Sequence, residues 1–299
     1  MTNSLQAIAD RQHQHDALVA AGEVLNVRFP PGQAAMSLRA AKLLHGLVKV
    51  AGADAGRDMV HKIPIAALNS YHISKDEFFA ACRELFGISV ELRVTDAQGA
   101  AWTKLGPMLA HVERAEAFNG DLLFEFSRVL REVLQRSNHW AVLSRQAVLA
   151  FQSRYSLRLY EILSIRVGLA HVCEETFSID DLRVLFGVPN GKLARWADLR
   201  VKALEPAIKE VSHLTGITAR YEVQKRGKAI AAVRLIWREK GKAGRDAAAA
   251  ELDRSSIGRA ARREGKAQLI APDDAERAEV AAGLQQLGET LAACLRPKY

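Results

Sequence analysis

The stretch that most constrains this chain runs from Gly191 to Trp237, GKLARWADLRVKALEPAIKEVSHLTGITARYEVQKRGKAIAAVRLIW. It reads as a basic helix followed by two strands, joined through the turn Lys225-Arg226-Gly227-Lys228. The tip of that turn is almost entirely positive. Helix, strand, charged tip and strand form the back half of a winged helix, a small domain that lays one helix in a DNA groove and a hairpin wing across neighbouring phosphates.

Charge is concentrated in the same place. Of a net +8 over 299 residues, the segment Gly191 to Arg245 holds 14 Lys and Arg against 5 acids, a net of +9, so the remainder carries about −1. An excess confined to one segment favours a polyanion partner more strongly than a basic total does. At 49% hydrophobic content the chain can bury a core, and its length suggests about two domains. Cys82, Cys173 and Cys294 are odd in number, far apart and without a CxxC pair, so neither a disulfide framework nor a thiolate metal site is expected. The N-terminus has no charged-then-apolar leader and no run reaches the length of a membrane span. A soluble protein of the reducing cytoplasm is expected.

Residues 1–23 read as a mobile arm or marginal helix. After Pro30-Pro31-Gly32, Ser37 is placed to cap a helix carrying Leu38, Ala41, Leu44, Leu47 and Val48 and ending near Gly52. An extended piece, His61 to Ile63, and a helical turn, Ile65 to Leu68, lead to a helix from Lys75 to Phe86 capped by Ser74. Ile88 to Val94 reads as a strand, Asp96 to Gly99 as its turn, and Met108 to Phe118 contains another strand. Leu122 to Asn138 shows helical apolar spacing, and a second helical pattern runs from Ser144 to Gly168. Thr176-Phe177 is a short strand, and Ser178 caps a helix from Ile179 to Phe186 that precedes the opening stretch. Both halves thus share one order: long helix, short strand, short helix, second helix, strand, turn, strand. The fold class is therefore α+β, two tandem winged helices related by pseudo-duplication, plus a helical or flexible C-terminal tail. The expected divisions are an arm at 1–23, domain 1 at 24–140, domain 2 at 141–242 and, at 243–299, a linker with a final helix from Asp274 to about Leu295.

Within the basic helix, Val201, Leu204, Ile208 and Val211 repeat at three, four and three residues and make one buried stripe. The opposite face steps through Arg195, Asp198, Lys202, Glu205 and Lys209 with alternating sign, which a solvated, ion-paired surface also explains. Three clusters go further: Lys192, Arg195 and Arg200 at the helix's N-terminal portion, Lys225, Arg226 and Lys228 at the wing tip, and Arg238, Lys240, Lys242 and Arg245 after the last strand. The first lies where the helix dipole is already positive, so an anion relieves it. Pro206 either bends the helix or begins a new one.

The segments LRLYEIL (157–163), FSIDDLRVLFGV (177–188), WADLRVKALEPAIKEV (196–211) and YEVQKRGKAIAAVRLIW (221–237) resemble, in order and spacing, the iteron-binding replication initiators of theta-type plasmids. The resemblance implies that domain 2 reads repeated origin DNA while domain 1 supplies dimerisation and secondary DNA contact. It also implies partners among host replication proteins such as initiator and helicase, with a monomer-dimer equilibrium in which dimers repress the initiator's own operator. The DNA-binding residues expected are Lys192, Arg195, Arg200, Lys202, Lys225, Arg226, Lys228 and Arg238, with base reading assigned to Arg195 and Arg200 because a guanidinium takes guanine O6 and N7 bidentately. In domain 1 the equivalent helix departs from the basic pattern, setting Asp76, Glu77 and Glu84 against Lys75 and Arg83. A dimeric winged-helix transcriptional repressor without a replication role shares every contact residue and is the alternative.

Enzymatic readings find little support. Gly187 to Lys192 lacks the glycine spacing and hydroxyl of a nucleotide-binding loop. A strand-nicking site needs two histidines around a hydrophobic residue, whereas His13-Gln14-His15 has a polar centre. No catalysis, cofactor or metal is expected, and Trp196 and Trp237 read as core aromatics.

Overall fold

The computed structural model describes residues 2–27, 35–71, 74–87, 90–95, 98–116, 120–169, 172–227 and 229–266. The Pro30-Pro31-Gly32 break, part of the Asp96 to Gly99 turn, Lys228, Cys294 and the expected final helix from Asp274 lie outside the described residues. Contacts divide the chain into a unit ending at Ser256 and a second unit from Ile257.

The first unit begins with α1 (Ser4–Arg11), β1 (Ala17–Ala21) and α2 (Gly22–Leu25). This is a correction to the expected mobile arm: Ser4, Ala7 and Ile8 of α1 and every residue of β1 are buried. A first winged helix follows as α3 (Leu38–Ala51), β2 (His61–Pro64), a 3-10 segment (Ile65–Tyr71), α4 (Lys75–Gly87), the hairpin β3 (Val90–Thr95) and β4 (Ala101–Gly106), then β5 (Leu109–Arg114) and β6 (Asp121–Phe126). After α5 (Arg128–Arg136), β7 (Trp140–Ser144) and α6 (Arg145–Ala150) comes the second: α7 (Arg154–Val167), β8 (Glu174–Ser178), α8 (Ile179–Leu185), α9 (Trp196–Leu199) continuing through a π-helical turn (Arg200–Leu204) into α10 (Glu205–Leu214), then β9 (Ile217–Arg226) and β10 (Ala229–Glu239). α11 (Lys242–Asp253) closes the unit; in the second unit the described helix is α12 (Arg259–Arg263).

Sheet order establishes the duplication. The first sheet runs β2-β6-β5 and the second β8-β10-β9, so in each the last strand lies between the other two. The serine caps stand where the sequence puts them: Ser37 accepts from Ala40 N at 3.2 Å and Ser178 from Asp181 N at 3.0 Å. Ser74 accepts from Glu77 N while Glu77 accepts from Ser74 N, a reciprocal cap.

Three other expectations change. Leu122 to Asn138 is not one helix: Leu122, Phe124 and Phe126 point inward at two-residue spacing as β6, and Ser127 then caps α5, accepting from Leu130 N. The pattern from Ser144 breaks at Phe151, and Ser153 caps α7 afresh. The linker after Gly241 starts as α11, whose Ala248 and Glu251 are buried and whose Glu251 lies 3.5 Å from His213 on α10.

A two-stranded ribbon joins the winged helices. β1 and β7 pair antiparallel from Ala17↔Ser144 to Ala21↔Trp140. Strand alternation sends Leu18, Ala20, Ala141 and Leu143 into the second core, and Val19, Ala21 and Trp140 into or against the first. Polar contacts cross the same junction. Lys42 of α3 donates to the carbonyls of Leu149 and Phe151, both at 2.7 Å, and His45 Nε2 lies 2.8 Å from Glu161 of α7. Arg158 donates to the carbonyls of Leu185 at 3.0 Å and Val27 at 2.8 Å, and to that of Leu25.

Arg158→Met keeps the bulk but strips those buried carbonyls of their donor and leaves Glu161 without a cation 3.4 Å away. Urea unfolding is expected to show a loss of about 3 kcal/mol. A change below about 0.5 kcal/mol, the range of inert surface substitutions, would mean that Arg158 does not hold the junction.

Candidate nucleic-acid interface

The basic helix is held from behind by a residue that the charge pattern alone did not single out. Arg183 of α8 pairs with Asp180 at 2.7 Å and donates to the carbonyls of Leu193, at 3.4 Å, and Ala194, just before α9. That turn contains Leu193 at φ +47°, a left-handed conformation uncommon for a side-chain-bearing residue, so the surrounding contacts must hold it. Arg183 therefore works as a brace for the turn before α9. The sequence signal for it was a cation spaced three from Asp180 on a short helix.

Pro206 neither ends the helix nor starts an isolated one. The Glu205 N–H reaches back five residues to the Arg200 carbonyl, making a π-helical turn immediately before the proline. Pro206 lacks an N–H and its ring crowds the carbonyl four residues back, and a widened turn accommodates both without a break. The extra residue rotates the preceding turn. Leu199, Ala203, Leu204, Ala207, Val211 and Leu214 form the buried side, Ile208 is half-buried, and Val201, expected in the core, is 52% exposed.

The helix cations are paired rather than free. Asp198 sits between Arg195, 3.1 Å away, and Lys202, 3.2 Å away, and hydrogen bonds from these two hold its carboxyl below the ordinary aspartate range. Arg200 turns toward the sheet, its Nε 3.8 Å from Glu205, while its side chain stays 43% exposed. Glu205 also accepts from the Tyr221 hydroxyl at 2.7 Å, and burial first, then this carboxylate, pushes the phenol's pKa up. The Trp196 and Tyr221 rings meet edge to face at 6.3 Å. Trp196 is thus half-buried against β9, while Trp237 is fully within the core. Lys192 is exposed in the loop before the helix.

These contacts fasten the helix's N-terminal portion beneath the middle of β9. The strand continues from Tyr221 to Arg226, about 17 Å at the usual rise, and carries Lys225 and Arg226 to an exposed tip. Gly227 makes that turn at φ +65°, where a side chain would be strained. Among the described residues neither tip cation is paired with a carboxylate. Arg238 lies elsewhere, since it pairs with Thr218 at the base of the sheet, about 30 Å along β10 from Ala229. Closer in, Glu222 binds Arg234 across the strands and Arg220 two residues back on its own strand, and their hydrogen bonds, Arg234's first, hold its carboxyl low.

The arrangement offers a projecting helix with orientated cations and a cationic finger displaced from it. It suits a grooved polyanion. Among the described residues no group of three His, Cys, Asp or Glu side chains could hold a metal ion, and no helix is long and apolar enough to cross a membrane. In the first winged helix, two of the acids of α4 are engaged: Glu77 pairs with Arg39 at 2.6 Å and Glu84 accepts from Ser37 N.

Asp198→Asn releases Arg195 and Lys202 from their shared counter-charge. Affinity for random duplex DNA is then expected to rise and the salt slope to steepen by up to about 1, read by fluorescence anisotropy over a salt series. An unchanged slope would mean that the pairing does not restrain these cations.

A family model described as Initiator Replication protein, WH1 matches residues 26–164, and one described as Initiator Rep protein, WH2 matches residues 178–237. No curated protein matches the chain. The first match covers the first winged helix and runs on through β7 and α6 into α7, and the second encloses α8, the basic helix and the wing; the chain belongs to the initiator Rep protein family of plasmid replication.

Proposed function

We propose that this chain initiates replication of its plasmid by binding repeated origin DNA sequence-specifically, with the second winged helix as principal reader. One observation supports this most strongly: Lys225 and Arg226 extend about 17 Å beyond Tyr221 on the sheet to which Trp196 and Glu205 fasten the helix. The major groove is about 12 Å wide, so with the helix inside it a tip at that reach falls on the bordering phosphates rather than on bases. Arg195, and Arg200 on swinging out from Glu205, then read base edges, and Lys192, Lys202 and the wing cations hold phosphate. Arg238, at the other end of the sheet, serves as a separate backbone contact. The protein bends or opens the origin and recruits the host initiator and helicase, with no catalysis of its own, in the cytoplasm.

Dimers formed through the first winged helix repress the initiator's own gene. Support comes from β4, which among the described residues pairs only with β3 and exposes Trp102 at 58% and Leu105 at 62%. Large apolar side chains on an unpaired edge favour association.

Arg200→Ala is expected to cost roughly 1 to 3 kcal/mol on an origin repeat and little on random duplex, whereas Lys225→Ala weakens both alike and lowers the salt slope by about 1. Equal losses on both duplexes for Arg200→Ala would remove its base-reading role. Sedimentation of Leu105→Lys is expected to shift toward monomer. A wild-type profile at equal concentration would remove β4 from the interface.

A further inference from the structure

Val201 stands on the outer face of the basic helix and is 52% exposed, one turn after Ala197, which is also exposed. A single exposed valine is ordinary on a protein surface. Here the exposure is imposed by the backbone: in a regular helix Val201 shares a stripe with Leu204 and Val211, and the π-helical turn at Arg200–Leu204 puts Leu199 and Ala203 into the core instead. Such turns concentrate at functional positions. The flanking polar groups are fixed as well, since Asp198, three residues before it, holds Arg195 and Lys202 at 3.1 and 3.2 Å. What remains between them is a small, apolar, rigid knob. Valine is branched at Cβ, so little side-chain freedom is lost when it packs against a partner.

We propose that Val201, with Ala197 beside it, is a specificity-determining residue that reads thymine. The major groove presents one apolar group, the C5 methyl of thymine, and an aliphatic side chain is its natural contact. This rests on the reading that the helix enters a major groove. It adds a requirement that the guanidinium groups cannot impose: arginines select guanine, while Val201 selects a methyl group close by. Deleting the methyl groups of Val201 or the methyl of the base should therefore damage the same contact.

The test uses the full chain and the duplex it enriches from a randomised pool. Each thymine of that duplex is replaced in turn by uracil, which removes only the C5 methyl, and affinities are measured for the wild type, Val201→Ala and Val201→Thr. Val201 is exposed and alanine favours helix, so Val201→Ala should fold normally. The expected result is one or two positions where uracil weakens wild-type binding about fourfold, the effect of one buried methyl-sized group. At those positions uracil should cost Val201→Ala nothing further, and Val201→Thr, which keeps the shape, should fall between. The proposal is overturned by a uracil penalty of full size in Val201→Ala, by an enriched site without thymine, or by an enriched site whose uracil variants all bind like the parent. A pool that enriches no sequence removes the groove reading itself, and the thymine contact with it.

Discussion

The structure depends on a ribbon in which alternate side chains serve two different cores. Leu18 and Ala20 face the second winged helix while Val19 and Ala21 face the first, and from β7 Ala141 and Leu143 join the second core while Trp140 packs against the first. A one-residue slip would exchange every one of these contacts, so register is specified by burial on both faces at once. Lys42, His45 and Arg158 then satisfy polar groups along the same seam. The N-terminal residues are in consequence part of the framework that presents the second domain.

A second constraint, Pro206, shapes the exposed face of the basic helix. Its missing N–H and bulky ring widen the helix by one residue just upstream, and that residue decides which side chains face out. The same turn leaves Arg200 beside Glu205 and Tyr221, so one backbone irregularity both aims the helix and ties it to the wing sheet. Paired acids complete the design. Asp198 and Glu222 each hold two cations in fixed directions, while the wing-tip cations Lys225 and Arg226 have no carboxylate partner among the described residues.

Much of this was legible in residues whose meaning is local. Ser37, Ser74 and Ser178 announced helix starts because a cap is a contact within three residues. The wing was legible from Gly227 among cations, and the duplication from the order of elements. What was not legible depended on distant partners. β1 looked like a polar arm because its strand partner lies at residues 140–144. β6 was hidden by apolar residues at Phe126, Val129 and Leu130 that also fit helical spacing. Val201 fitted a buried stripe by spacing alone, and only the widened turn moved it outward. Arg238 read as the start of a basic run just after the last strand, whereas it lies within β10, paired with Thr218 at the end of the sheet away from the tip.

The central claim is that the second winged helix reads repeated origin DNA with its helix and wing together. Hydroxyl-radical footprinting of the full chain on the DNA that carries its gene tests this most directly. Several direct repeats of even spacing beside an AT-rich segment should be protected, each with a groove-centred window flanked by backbone protection that Lys225→Ala removes. A lone inverted repeat over the promoter, or protection without regard to sequence, would contradict it.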